Sequence, residues 1–162
     1  MSNVDVAALR NVALFGTVAP SSLAQLALDL SAHTLAPGDF AFREGDAGAE
    51  VFIVLSGELE VLKQSQRGEQ ARVAILGPGD WFGEMSVIDI HPRSASVRAL
   101  ADSQLVTMSL GALEALRQRD VPAYAAIVVA LAREMSRRLR VADGLLADLV
   151  ANVVHRRGAP GS

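Results

Sequence analysis

The chain has 162 residues, the size of one domain, and 51% of them are apolar, ample for a single core. Its formal charge of −3 does not supply the cationic field that non-specific nucleic-acid binding requires. It holds no Cys, which excludes disulfides, thiolate nucleophiles, zinc knuckles and iron–sulfur clusters together.

The N-terminus, Met1-Ser2-Asn3-Val4-Asp5, has no basic region leading into an apolar run, so no secretory signal is expected. The apolar run 124–132 is too short to span a bilayer and ends at Arg133-Glu134. A cytoplasmic protein without a membrane span is the expectation.

Residues 6–14 carry Val6, Leu9, Val12 and Ala13 at helical spacing, with Gly16 behind them as a stop. Pro20-Ser21-Ser22 opens a second helix. There Ser22 and Gln25 have capping-box spacing, and Leu23, Leu26, Ala27 and Leu30 form one apolar stripe.

From His33 the period changes to short apolar runs between Gly-rich turns, at 34–35, 40–43, 51–55, 59–63, 72–76, 96–100 and 105–109. Their length and regular punctuation predict antiparallel strands wrapped into a sandwich or barrel. Ser56-Gly57 is short enough to join two of them as a hairpin, and Gln66-Arg67-Gly68-Glu69 is a polar tip on another.

After Leu110 the helical period returns. Leu113 and Leu116 suit a short helix, and Asp120-Val121-Pro122 starts a long one, since Pro is tolerated in a first turn. Along it Val128, Leu131, Met135, Leu139, Ala142, Leu146, Leu149 and Val153 recur at steps of three and four, as in a two-helix seam. That seam predicts self-association as a homodimer, although Gly144 weakens its middle. The cations Arg133, Arg137, Arg138, Arg140, Arg156 and Arg157 are read as its solvated face. The organisation expected is 1–120 for the first helices, the β body and the short helix, 121–155 for the long helix, and 156–162 as a disordered tail.

The chemistry concentrates in residues 83–97. A turn, Gly77-Pro78-Gly79-Asp80, and an aromatic pair, Trp81-Phe82, lead into Gly83-Glu84-Met85-Ser86. About one helical turn fits from Met85 to Ile88, and its first amides, lacking internal partners, suit a phosphate. Gly83 lets a ligand approach the backbone. Arg93, nine positions after Glu84, is a positive fork for a phosphodiester, whereas ionised Glu84 accepts only and suits a sugar hydroxyl. Together they describe a ribose with its phosphate.

Phe82-Gly83-Glu84-Met85-Ser86 followed by Pro92-Arg93-Ser94-Ala95-Ser96-Val97 resembles the phosphate-binding cassette of cyclic nucleotide-binding domains. That family includes the bacterial catabolite activator protein, protein kinase A regulatory subunits and cyclic nucleotide-gated channels. The flanks Phe42-Arg43-Glu44-Gly45-Asp46 and Phe52-Ile53-Val54-Leu55-Ser56-Gly57 resemble it too, so the likeness covers roughly residues 8–142. It implies a mainly β fold: an eight-stranded antiparallel jelly roll with N-terminal helices and a long C-terminal helix.

It also implies roles. Amides around Gly83, Met85 and Ser86 would hold the cyclic phosphate, Arg93 would neutralise it, and Glu84 would accept from the ribose 2′-hydroxyl. Ser94 would reach the phosphate or the base. In the family Thr there goes with guanine and Ala with cAMP, so Ser favours cAMP over cGMP only modestly. An apolar residue of the long helix, Met135 or Leu139, would cap the base. The expected protein is a non-catalytic receptor that signals to an effector protein by moving its helices. Related bacterial regulators continue into a helix-turn-helix segment and this sequence ends at Ser162, so DNA binding is not expected. Nearly all its cations are Arg, with Lys63 the one Lys, and Ala is abundant, which points to a GC-rich bacterial source.

Two other functions compete. A cupin-type metalloenzyme needs clustered His and carboxylate ligands, but His33, His91 and His155 lie far apart in sequence; no metal and no catalysis are expected. A ligand-free interaction scaffold would have little reason to keep Glu84 and Arg93, since a buried charge pair is costly to hold.

Overall fold

The computed structural model describes residues 4–157. Helix α1 (Val6–Arg10) and a 3-10 turn (Ala13–Phe15) precede α2 (Pro20–Ala27). Eight strands follow: β1 (Ser31–Leu35), β2 (Phe40–Phe42), β3 (Glu50–Ser56), β4 (Leu59–Gln64), β5 (Gln70–Leu76), β6 (Trp81–Phe82), then after the short helix α3 (Met85–Ile88), β7 (Ser96–Ala99) and β8 (Ser103–Ser109). Helices α4 (Leu110–Arg119) and α5 (Val121–Arg157) complete the order.

The strands form two four-stranded antiparallel sheets, ordered β1-β8-β3-β6 and β2-β7-β4-β5, the jelly roll that the resemblance implies. Strand β3 is apolar at nearly every position because both its faces are covered. Val51 and Ile53 pack under the helices with Leu9, Phe15, Leu26, Leu116 and Ile127. Val54, one residue on, packs between the sheets with Leu59, Leu76, Phe82, Val97 and Leu105. The alternation of strand side chains thus sorts one run into two cores.

Several local readings shift. Trp81-Phe82, read as an anchoring aromatic pair, is strand β6, with Ile53 opposite Trp81 and Phe52 opposite Phe82. The first helix ends at Arg10, and residues 13–15 tighten into the 3-10 turn. Helix α2 starts at Pro20 behind Ala19 with no side-chain cap, and Ser22 instead donates its hydroxyl to Asp120. Asp120 also accepts from the Ala123 amide at 3.0 Å and so starts α5. Ser109 does the same for α4, accepting from Ala112 N at 3.0 Å.

Helix α5 runs 37 residues, two beyond the bound read from sequence, and residues 158–162 of the expected tail lie outside the described residues. Its first turns bury Ala123, Ile127 and Leu131 against the body. Farther along, Leu139, Leu146, Leu149 and Val153 are exposed. No helix among the described residues is long and apolar enough to cross a membrane.

Candidate functional site

Strand β6 delivers the chain to Gly83, whose φ of +84° lies in the left-handed region. A Cβ there would sit 2.7 Å from both Arg93 Nη1 and the Glu50 carbonyl oxygen, so only glycine lets the cassette close down on the guanidinium. Helix α3 then turns the chain through Met85 and Ser86, and an extended loop brings it back to Arg93 and Ser94 ahead of β7.

Arg93 is only 3% exposed. Its Nη1 donates to the carbonyls of Glu50 and Gly83, both at 3.1 Å, and its Nη2 donates to Glu50 Oε2 at 2.9 Å. Its guanidinium carbon stands 4.2 Å from the centre of the Phe42 ring. Burial pulls the Arg93 pKa down and the Glu50 carboxylate works against that shift; an arginine keeps its proton in either case. Arg93 Nε, also buried, has no hydrogen-bond partner among the described residues.

Glu84 is equally buried, and Oε1 accepts from Arg138 Nη1 of α5 at 2.9 Å. The same guanidinium donates through Nη2 to the Trp81 carbonyl at 2.7 Å and through Nε to Glu134 Oε1 at 2.9 Å. A hydrogen bond from Arg137 leads the effects that draw the Glu134 carboxyl down to about 2. Helix α5 is therefore pinned to the cassette by a chain of charge-assisted bonds.

Between these groups lies a cavity of about 680 Å³. Arg93, Ser94, Glu84 and Ser86 line the cassette side; Val61 and Lys63 of β4 with Val73 to Leu76 of β5 line another wall. Ser94 Oγ faces Met85 Sδ at 3.9 Å, and both residues line the cavity. The six cassette residues expected at a ligand site, Gly83, Glu84, Met85, Ser86, Arg93 and Ser94, all reach this one space.

Three residues were not legible beforehand. Arg138, read as part of a solvated face, is the tether from α5 to Glu84. Glu50 supplies the carboxylate on Arg93, and Gly48 leaves the room for it, since a Cβ there would stand 2.7 Å from Arg93 Nη2. The helical wall is formed by Glu134, Arg137, Arg138, Val141, Ala142 and Leu145, not by Met135 or Leu139. Positions 138, 141, 142 and 145 share one helix face, a signal the periodicity held once the direction of the cavity was known.

The histidines stay apart. His33 Nε2 is 3.0 Å from Thr107 Oγ1, His91 sits 3.3 Å from Asp89 in the exposed cassette loop, and His155 is near the end of α5. No group of three or more potential metal ligands occurs among the described residues.

A rolled sheet that sets a buried guanidinium, a carboxylate and apolar side chains around one cavity under a helix has the architecture of a small-ligand-binding domain. The family model described as the cyclic nucleotide-binding domain matches residues 32–120. The chain belongs to that family. It is 32% identical over 151 residues to the CRP-like cAMP-activated global transcriptional regulator of Mycobacterium tuberculosis, covering 93% of this chain and 66% of that protein. It is 37% identical over 139 residues to the cyclic AMP receptor protein of Thermus thermophilus, covering 85% and 62%. Among solved structures, the Thermus thermophilus catabolite activator protein superposes with a TM-score of 0.74 at 34% identity, covering 85% of this chain and 62% of that one. A cyclic nucleotide-binding domain from Methylobacillus flagellatus gives 0.79 at 26%, covering 88% and 81%. This chain therefore spans about two thirds of the regulators it matches, and the transcriptional activity in their names is that of longer proteins. None of these relatives points to an enzyme family.

Proposed function

We propose that the chain is a non-catalytic receptor for a cyclic purine mononucleotide, with cAMP ahead of cGMP on the names of its bacterial relatives. The observation that carries the reading is the Arg93 guanidinium, sealed at the cavity wall with its Nε unpartnered. Its other two nitrogens have acceptors, but a buried guanidinium N–H without one is costly, and an anion reaching Arg93 would relieve that cost. The ligand phosphate meets Arg93 and the amides around Gly83, Met85 and Ser86. The ribose 2′-hydroxyl donates to Glu84, Ser94 lies beside the phosphate, and the purine rests on Val61, Val73 and Leu76 beneath Val141 and Leu145.

Signalling follows from Glu84, because the carboxylate that takes the ribose also holds Arg138. Ligand occupancy then changes the hold on α5, and the helix carries the change to an effector protein. A ligand can shift this equilibrium only by its difference in affinity for the two helix arrangements. The exposed seam of α5, Leu139, Leu146, Leu149 and Val153, supports pairing with a second copy.

A ligand-free scaffold is the second reading, favoured by one fact: Glu50 and Arg138 already give Arg93 and Glu84 internal partners. Calorimetric titration with cAMP, cGMP and a cyclic dinucleotide separates the two. Micromolar or tighter binding of a cyclic mononucleotide is expected, weakened on the order of 100-fold in Arg93→Lys, which keeps the charge but loses the fork. Equal binding by both forms rejects the phosphate site, and no binding at all supports the scaffold.

A further inference from the structure

The cassette returns to the sheet through residues 93–96, and the turn after β2 seats it there. That turn is closed by the Asp46 amide on the Arg43 carbonyl at 3.0 Å and by the Arg43 amide on Asp46 Oδ2 at 2.9 Å. Its main chain holds Arg93 on both sides: the Arg93 amide donates to the Asp46 carbonyl and the Gly45 amide to the Arg93 carbonyl, each at 2.8 Å. The Glu44 amide donates to Ser96 Oγ at 2.8 Å. Arg93 and Ser96 are thus anchored to one turn, and Ser94-Ala95 bridges the anchors.

We propose that Lys63, braced by Glu44, is a positioning residue for the ligand phosphate: by holding the Ser94 carbonyl it sets the direction in which Ser94 faces the cavity. The inference rests on the receptor reading above and adds to it what fixes the bridge at the phosphate end of the cassette.

Lys63 lies on β4 and lines the cavity together with Ser94 and Ala95. Its ammonium donates to the Ser94 carbonyl and, at 2.7 Å, to Glu44 Oε1. The other Glu44 oxygen accepts from the Gln64 amide at 2.9 Å, so the carboxylate that braces Lys63 is itself braced from β4. The Lys63 hydrogen bond, followed by that of the Gln64 amide, leads the effects that hold the Glu44 carboxyl below its ordinary value, which keeps it ionised at neutral pH. A peptide unit is planar, so a captured carbonyl fixes the plane that leaves Ser94. The Arg93 carbonyl, held by Gly45, fixes the plane that enters it. Between the two planes the Cα–Cβ bond of Ser94 keeps one direction, and the hydroxyl it carries is the one set beside the phosphate. The ammonium is half exposed, so the ion pair itself adds little to stability, and its effect is on geometry.

The test is calorimetric titration of cAMP and cGMP into wild type, Lys63→Met, Ser94→Ala and the double variant, with thermal denaturation of each. Lys63→Met should leave the melting temperature close to that of wild type and weaken both nucleotides equally, since the phosphate is common to them. The expected loss is about fivefold, below the worth of a full charge-assisted bond because the ammonium is half exposed. Ser94→Ala should cost about as much, and the double variant no more than either single one, because Lys63 acts through Ser94. Additive losses in the double variant overturn the inference, since Lys63 then works independently of Ser94. A loss that differs between cAMP and cGMP overturns it too, as does unchanged binding in Lys63→Met. Should Lys63→Met fail to fold, Glu44→Ala, which removes the brace, takes its place in the cycle with the same expected coupling. Wild type that binds neither nucleotide sinks the receptor reading, a different result from binding with additive losses.

Discussion

Arg138 of α5 and Glu84 of the cassette stand 2.9 Å apart, and through that pair the helix that closes the cavity is tied to the carboxylate at its centre. The two residues are 54 positions apart in the chain. Arg138→Met removes the tether and leaves Glu84 buried without its cation, which costs about 2 kcal/mol, below the full value for a sealed pair because Arg138 is partly exposed. Hydrogen exchange is expected to speed up across residues 134–145 while the β core keeps its protection. Unchanged exchange there means that packing, and not the ion pair, holds the helix.

Gly48 and Gly83 form the two walls of the slot that Arg93 occupies. In Gly48→Ala the new methyl carbon would fall 2.7 Å from Nη2 and 2.9 Å from Nε, so the guanidinium must move. Binding of the cyclic nucleotide is expected to weaken about tenfold, the worth of a misaligned charge-assisted bond. Gly77→Ala is the control, since its methyl meets nothing within 4 Å. Equal affinities in the two variants, by calorimetry, refute a positioning role for Gly48.

Glu60 of β4 is 1% exposed and bridges two strands, accepting from Arg98 Nε at 2.8 Å and from Arg72 Nε at 2.7 Å. The hydrogen bond from Arg98, opposed by burial and helped by Arg72, holds its carboxyl below the ordinary 4.5. A depressed folded-state value means the unfolded chain takes up the proton first, so the stabilisation is complete above 4.5 and is lost as pH falls through the lower, folded value. The melting temperature should be flat near neutral pH and decline below about 4.5, with Glu134 contributing in the same direction. Glu60→Gln should lower stability by about 2 kcal/mol at neutral pH and shallow the acid decline. An identical acid slope in the variant assigns the decline to other carboxyls.

The outer half of α5 exposes Leu139, Leu146, Leu149 and Val153. If a second copy covers that seam, sedimentation shows a concentration-dependent dimer, and Leu146→Asp with Leu149→Asp shifts it to monomer without loss of the β-sheet signal. A wild-type chain that sediments as monomer at high concentration removes the pairing.

The cassette was readable from sequence because its parts are local: Gly83 to Ser86 and Arg93-Ser94 lie within a dozen residues, and their chemistry follows from residue type. The strands were readable as well, except β6, where two residues are too few to display a period and only pairing with Phe52 and Ile53 identifies them. The partners of the site were not. Glu50 meets Arg93 across 43 positions, and Arg138 meets Glu84 across 54, distances over which no spacing rule operates.

What the amino-acid sequence determined by itself was the family, the order of helices and strands, and a group of residues that line one cavity, since each is written in short-range pattern. Tertiary structure alone decided which face of α5 lines the cavity, which carboxylate holds the buried guanidinium, and that Lys63 of β4 meets the Ser94 carbonyl. The reason is geometric: a helix presents several faces and a cation several acceptors, and only the closed roll selects among them.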